Sequence, residues 1–110
     1  MSGGNEPCDG RLAVVLSYRG DVARVALAGE LDLACVPRFD ALVASAFVMA
    51  DRCLIDLSEV EFVDSSGIRA LLRARRRALE SGATLDLANA TPAVARVLAD
   101  AGVELALNDA

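Results

Sequence analysis

The feature that most restricts the fold is an alternation of short apolar runs with longer segments of helical period. The runs are Leu12–Tyr18, Val22–Ala28, Cys53–Leu57, Ala83–Ala88 and Val103–Leu107. Each has the length of a β-strand and is too short for a buried helix. None approaches the ~20 apolar residues that a membrane span requires. We therefore predict five strands in a protein with no membrane span, and a cytoplasmic location.

Three helices are expected between these strands. The first has Pro37 near its start, and the third begins with the capping pair Thr91–Pro92. The second is expected over Ser66–Ser81, with Ser65 or Ser66 as N-cap. Its predicted buried face, taken from the bulky apolar side chains, consists of Ile68, Leu71, Leu72 and Leu79.

Element order gives β-β-α-β-α-β-α-β, an α/β class with a mixed sheet. Gly20 is expected to form a hairpin turn between the first two strands. The segment Gly29–Asp32 is expected to end the second strand, and Ser58–Val63 to be a loop. At 110 residues the chain fits one domain, residues 11–110, preceded by a flexible tail over residues 1–10.

Missing residue types exclude many enzymes. The chain has no His, and all eleven of its basic residues are Arg. Nucleophile pairs that need His, and the lysine chemistry of phosphate loops and Schiff bases, are therefore absent. The three widely spaced cysteines, Cys8, Cys35 and Cys53, fit small apolar residues better than a redox or metal site. We expect no metal and no cofactor.

Charge is unevenly distributed. The net charge of −5 argues against nucleic acid as a direct partner. The segment 66–81 nevertheless carries five arginines and one glutamate, a net charge of +4, so all other residues together carry −9. On a helix, four of these arginines share one outer arc: Arg69, Arg73, Arg76 and Arg77. A solvated helix face is the simpler interpretation of this arc, and a docking site is the alternative.

The segment Phe62–Gly67 contains the residues of this chain that are best suited to a functional role. It places Asp64, Ser65 and Ser66 where an apolar run gives way to a helix, whose N-terminus favours negative charge. A nucleophilic role for Ser65 lacks a suitable base. Phosphorylation of Ser65 would add negative charge and bulk to the surface that a docked partner contacts. Simple helix capping by the serines remains the alternative.

Four segments resemble the anti-sigma factor antagonist branch of the STAS domain family. They are Gly29–Asp32, Leu54–Ser58, Phe62–Ile68 and Ala90–Val94. The resemblance extends from about Leu12 to Leu107. It implies a small mixed sheet with helices packed largely on one face. It also implies a regulator rather than an enzyme.

The resemblance implies a switch at Ser65. Members of this branch are phosphorylated there by an anti-sigma factor with serine kinase activity, and a serine phosphatase reverses the modification. The unphosphorylated form binds the anti-sigma factor and releases the sigma factor. Asp32 and Asp64 are implied to assist partner binding, together with Ser66 and Gly67.

Two features depart from the family pattern. Arg69 stands where many relatives have a small residue, which places a long cation near the expected partner surface. Cys35 stands where a capping hydroxyl is expected, so an irregular start is predicted for the first helix. Other STAS proteins are non-switching subunits of lipid-transport or stress-sensing complexes, and this is the alternative function.

Overall fold

The computed structural model describes residues 11–103, which form one four-stranded mixed sheet with three helices. The strands are β1 (Leu12–Arg19), β2 (Val22–Leu31), β3 (Arg52–Val63) and β4 (Thr84–Ala88). The helices are α1 (Val36–Met49), α2 (Ser65–Glu80) and α3 (Pro92–Asp100), and a 3-10 turn over Leu33–Cys35 precedes α1. The predicted α/β class and element order are confirmed. Of the expected last strand, Val103–Leu107, only Val103 is described, and the rest lies outside the described part.

The sheet has the spatial order β1-β2-β3-β4. Its first pair is an antiparallel hairpin, while β2–β3 and β3–β4 are parallel. Gly20 supplies the hairpin turn with a φ of 63°, as predicted. Because β2, β3 and β4 advance in one direction, right-handed crossovers place α1 and α2 on the same face of the sheet.

An aliphatic core fills the space between this face and the helices. Three fully buried side chains lie in register across β2, β3 and β4: Val25, Ile55 and Leu87. Phe39 of α1 is equally buried against them. Cys35 and Cys53 belong to the same core. Burial raises the pKa of the Cys53 thiol to about 11, so this thiol stays protonated and behaves as a small apolar side chain.

Small residues, rather than the predicted leucines, form much of the buried face of α2. Its buried residues are Gly67, Ala70, Leu71, Ala74 and Ala78. The prediction was wrong for Leu72 and Leu79, which are 38% and 62% exposed. Small side chains let the helix backbone lie close to its neighbours, and the bulky leucines are left on the outside.

Two strands are longer than the sequence predicted. β2 continues through Gly29 and Glu30 to Leu31, and β3 continues through the expected loop to Val63. Register shifts between these two strands occur at Ala26/Ala28 and at Gly29/Glu30. Such irregularities break the simple alternation of apolar and polar residues. The sequence pattern therefore predicted strands that end before the observed strand pairing does.

Helix starts follow the predicted residues more closely at α1 and α3 than at α2. Pro37 lies in the first turn of α1, and the 3-10 turn ahead of Cys35 gives the irregular start that was expected. The Thr91 hydroxyl caps α3 by accepting from the Val94 N–H at 3.3 Å. Within residues 11–103, no helix has both the length and the apolarity for a membrane span.

Candidate functional site

The two acidic residues of the expected site lie at one edge of the sheet. β2 and β3 run parallel with Leu31 opposite Val63. Asp32 and Asp64 therefore leave neighbouring strands at the same end, and Asp64 leads directly into α2. The carboxyl ends of parallel strands are where open α/β sheets commonly bind ligands. β4 ends earlier, with Ala88 opposite Asp56, so the last part of β3 extends beyond it.

Asp64, and not Ser65 or Ser66, is the N-cap of α2. Its Oδ1 accepts from the Gly67 N–H at 2.8 Å. Its Oδ2 accepts from the Leu33 N–H at 3.3 Å, across to the 3-10 turn after β2. The expected serine cap was wrong because Asp and Ser cap helices about equally well, and only the backbone shows which residue precedes the first turn. Both carboxylate oxygens of Asp64 therefore accept backbone N–H groups, which fixes the side chain at the helix start.

Gly67 permits the close contact between α2 and β2. A methyl group at position 67 would overlap the Leu31 carbonyl oxygen and lie 2.9 Å from Cγ1 of Val63. The same Leu31 oxygen accepts from the Asp64 N–H at 3.2 Å. The start of α2 is therefore fixed against the ends of both strands. Gly67 thus supports the site from a buried position.

Ser65 occupies the first turn of α2 and is exposed, whereas Ser66 beside it is half-buried. Two apolar side chains near the strand ends are also exposed, Leu33 to 68% and Phe62 to 50%. Leu33 donates its backbone N–H to Asp64, so it lies next to the helix start.

Asp32 is held by an ion pair and carries an unusual oxygen. Its Oδ2 lies 3.3 Å from the Arg11 guanidinium, which the sequence analysis did not connect with the site. Its Oδ1 is buried and has no hydrogen-bond partner among the described residues. An unpaired buried oxygen costs free energy, so stability alone does not explain its position.

The predicted arginine arc divides into two parts. Arg73 forms an ion pair with Asp40 of α1 at 2.9 Å, and Arg77 lines a groove between α1 and α2. Arg69 and Arg76 are exposed on the outer side of α2. Arg69 is thus on the same helix surface as Ser65, one turn further along the helix.

A second polar cluster was missed by the sequence analysis. Asp56 is buried in the middle of β3, where its Oδ1 accepts from the Ser58 N–H at 2.9 Å and from the Asn89 amide at 3.5 Å. Its Oδ2 is paired with the Arg24 guanidinium. Burial alone would raise the pKa of Asp56, but these hydrogen bonds and the arginine outweigh it and lower the pKa. A charged residue inside an apolar strand run was the available signal.

Across residues 11–103, no three His, Cys, Asp or Glu side chains lie close enough together to hold a metal ion.

The fold and site define a class of small mixed α/β domains in which an aspartate-capped helix presents a serine beside the strand ends. The family described as "Mlab, STAS domain" matches this sequence over residues 14–107. The chain belongs to this STAS domain family. No curated protein matches the chain.

Solved structures with the same fold include several antagonists of anti-sigma factors. An anti-sigma factor antagonist from Mycobacterium paratuberculosis has a TM-score of 0.78 at 21% identity, covering 89% of this chain and 87% of that chain. The unphosphorylated form of the anti-sigma factor antagonist SpoIIAA has a TM-score of 0.70 at 28% identity, covering 83% and 82%. RsbS from Moorella thermoacetica, with a serine-to-glutamate substitution, has a TM-score of 0.69 at 28% identity, covering 86% of both chains.

Proposed function

We propose that this protein is an anti-sigma factor antagonist that is switched off by phosphorylation of Ser65. Its partner is an anti-sigma factor with serine kinase activity, and a serine phosphatase restores the unmodified form. The observation that carries the proposal is the exposed Ser65 on the first turn of α2, directly after the Asp64 cap that joins this helix to the turn at Leu33. The likeness to SpoIIAA and RsbS at 28% identity supports it.

The geometry favours a phosphorylation substrate over a serine enzyme. Both oxygens of Asp64 already accept backbone N–H groups, and the chain has no His or Lys to serve as a base. Phosphorylation requires only that a kinase reach the Ser65 hydroxyl, which is exposed. The protein therefore acts as a substrate and regulator, and not as an enzyme.

A phosphate on Ser65 would change the surface without unfolding the protein. It adds a charge of about −1.5 to −2 at the N-terminus of α2, where the helix dipole partly offsets its repulsion with Asp64. A partner that covers Leu33 and Phe62 would have to desolvate this charge. Binding is therefore lost while the fold remains.

The other predicted partner residues have distinct roles in this proposal. Asp32 is the candidate partner-binding acid, because it follows β2 at the same end of the sheet from which Asp64 leads into α2. Arg69 contributes to partner choice from the next turn of α2. Asp64 and Gly67 act indirectly, by fixing the helix start, and Ser66 lies at the edge of the contact.

The proposal is tested by incubating the protein with ATP and each anti-sigma factor of the serine kinase type encoded in the source genome. Intact mass and peptide mapping should show one phosphate, located on Ser65. Ser65→Ala should prevent the modification, whereas the matched control Ser66→Ala should still be phosphorylated. Ser65→Glu should lose binding.

The competing function has its own outcome in this experiment. If every such kinase leaves Ser65 unmodified and a transport ATPase co-purifies with the protein, the chain is a non-switching STAS subunit. Phosphate located on Ser66 alone would also contradict the proposal.

A further inference from the structure

The outer side of α2 carries exposed residues that extend well beyond Ser65. Two exposed arginines, Arg69 and Arg76, lie on this side, while Arg73 and Arg77 turn toward α1. Leu72 and Leu79, expected in the core, are on the outside as well. The exposed cations and leucines thus occur on the same helix.

These residues form one line that starts at Ser65. At 100° per residue, Ser65, Arg69, Leu72, Arg76 and Leu79 fall within an arc of about 80° around the helix axis. The line extends for about 21 Å, at 1.5 Å of rise per residue. We refer to these five residues as the outer α2 stripe. It is continuous with the surface around Ser65.

The composition of the stripe indicates the chemistry of what covers it. Leu79 is 62% exposed and Leu72 38% exposed, in a helix whose core contacts are made by small residues. Two exposed arginines accompany them. The segment 66–81 has a charge of +4 in a chain whose other residues carry −9. A matching surface therefore carries acidic side chains that alternate with apolar ones.

We infer that the outer α2 stripe is a second docking region for the same anti-sigma factor, on which it contacts a surface where acidic and apolar side chains alternate. This inference rests on the proposed function, because it extends the contact from Ser65 along α2. Arg69 and Arg76 attract the partner electrostatically as it approaches. Leu72 and Leu79 stabilise the complex through apolar contacts. The stripe would thus determine which kinase is accepted.

Charge reversal on the stripe tests the electrostatic part. Affinity of unphosphorylated protein for the kinase identified above is measured by calorimetry at several salt concentrations. Arg76→Glu should weaken binding about tenfold and reduce its salt dependence, as expected for loss of a steering charge. Arg96→Glu is the matched control, because Arg96 is equally exposed but lies on α3.

Polar replacement of the leucines tests the apolar part. Leu79→Gln and Leu72→Gln should each weaken binding by roughly three- to tenfold, and together by more. Val48→Gln is the matched control, because Val48 of α1 is 78% exposed and lies outside the stripe. Circular dichroism checks that α2 is intact in each variant.

The outcomes separate this inference from the proposed function. If Ser65 is phosphorylated and all stripe variants bind like the unchanged protein, the docking region is wrong and the switch stands. If no kinase binds or modifies the protein, both are wrong. If Arg76→Glu dissociates a dimer in sedimentation, or abolishes binding to anionic phospholipid vesicles, while kinase affinity is unchanged, the stripe has a different occupant and the inference is overturned.

Discussion

Asp56 and Asp64 are eight positions apart on the same strand and its exit, yet their surroundings differ. Asp56 is buried, and its carboxylate is paired with Arg24 and hydrogen-bonded by Ser58 and Asn89. Asp64 is half-buried, and its oxygens accept the backbone N–H groups of Gly67 and Leu33 at the protein surface. Asp56 links β3 to β2 and to the residue that follows β4, whereas Asp64 positions the exposed Ser65.

In this small domain, stability and function depend on different parts of β3 and its exit. The Asp56 cluster lies where β4 ends, and its polar side chains make their hydrogen bonds and ion pair within the protein. The Asp64 cluster lies further along β3, beyond β4, and is bordered by exposed apolar side chains. Changes at the first should alter unfolding and spare partner binding. Changes at the second should impair partner binding more than they alter unfolding, except where they move the backbone.

Gly67→Ala should have the largest effect on stability, because a methyl group there would overlap the Leu31 carbonyl oxygen. We expect a loss of about 3 kcal/mol in the free energy of unfolding, together with loss of kinase binding. Urea unfolding measures the first quantity. Gly20→Ala is the control: its φ is positive but nothing lies within 4 Å, so about 1 kcal/mol is expected. Equal losses in the two variants would contradict the close-contact argument.

Asp56→Ala should have the next largest effect, about 2 kcal/mol, because it leaves Arg24, Ser58 and Asn89 without their shared acceptor. Kinase affinity of the folded variant should be unchanged. Asp86→Ala, at an exposed position on β4, is the control and should change stability by less than about 0.5 kcal/mol. Impaired binding in Asp56→Ala would erase the distinction between the two aspartates.

Asp56 should also make stability depend on pH. Its pKa is lowered in the folded protein, so its contribution is present above the ordinary aspartate pKa of about 3.9 and is lost as the pH falls through the lower folded value. The stability difference between the unchanged protein and Asp56→Asn should therefore shrink on acidification. A difference that grows at acid pH would contradict this assignment.

Asp64→Ala should cost about 1 kcal/mol, the usual effect of losing an N-cap side chain. Its effect on function should be larger than its effect on stability, because the start of α2 and the Leu33 turn are no longer joined. Phosphorylation kinetics with the kinase measure this. Thr91→Ala removes the cap of α3 and is the matched control, with similar destabilisation and normal phosphorylation.

Ser65→Ala should have the smallest effect on stability, within about 0.5 kcal/mol, because Ser65 is exposed and Asp64 caps the helix in its place. Thermal unfolding of Ser65→Ala and Ser66→Ala measures this. A loss above about 1 kcal/mol for Ser65→Ala would show that the serine is structural.

Much of the fold could be predicted from the sequence, because strand-length apolar runs and helical periods are local signals. The hairpin at Gly20 and the cap at Thr91 were both predicted and are observed. The extension of β3 to Val63 was not, because it depends on pairing with a shifted β2. Pairing across strands leaves little trace in a local pattern.

The site was harder to predict than the fold. Ser65 and Asp64 were singled out correctly as neighbours of a helix start, but the cap was assigned to the wrong residue. Leu72 and Leu79 were placed in the core, because periodicity identifies an apolar face and does not say whether small or bulky residues are packed. The link between Arg11 and Asp32 depends on the tertiary fold and has no sequence signal.

The central claim is that phosphate on Ser65 abolishes partner binding while the fold persists. The direct measurement is calorimetric titration of the anti-sigma factor with protein that is fully unmodified and with protein that is fully phosphorylated on Ser65. We predict an affinity loss of at least about a hundredfold, which is roughly 2.7 kcal/mol, with unchanged circular dichroism. Equal affinities of the two forms would contradict the account.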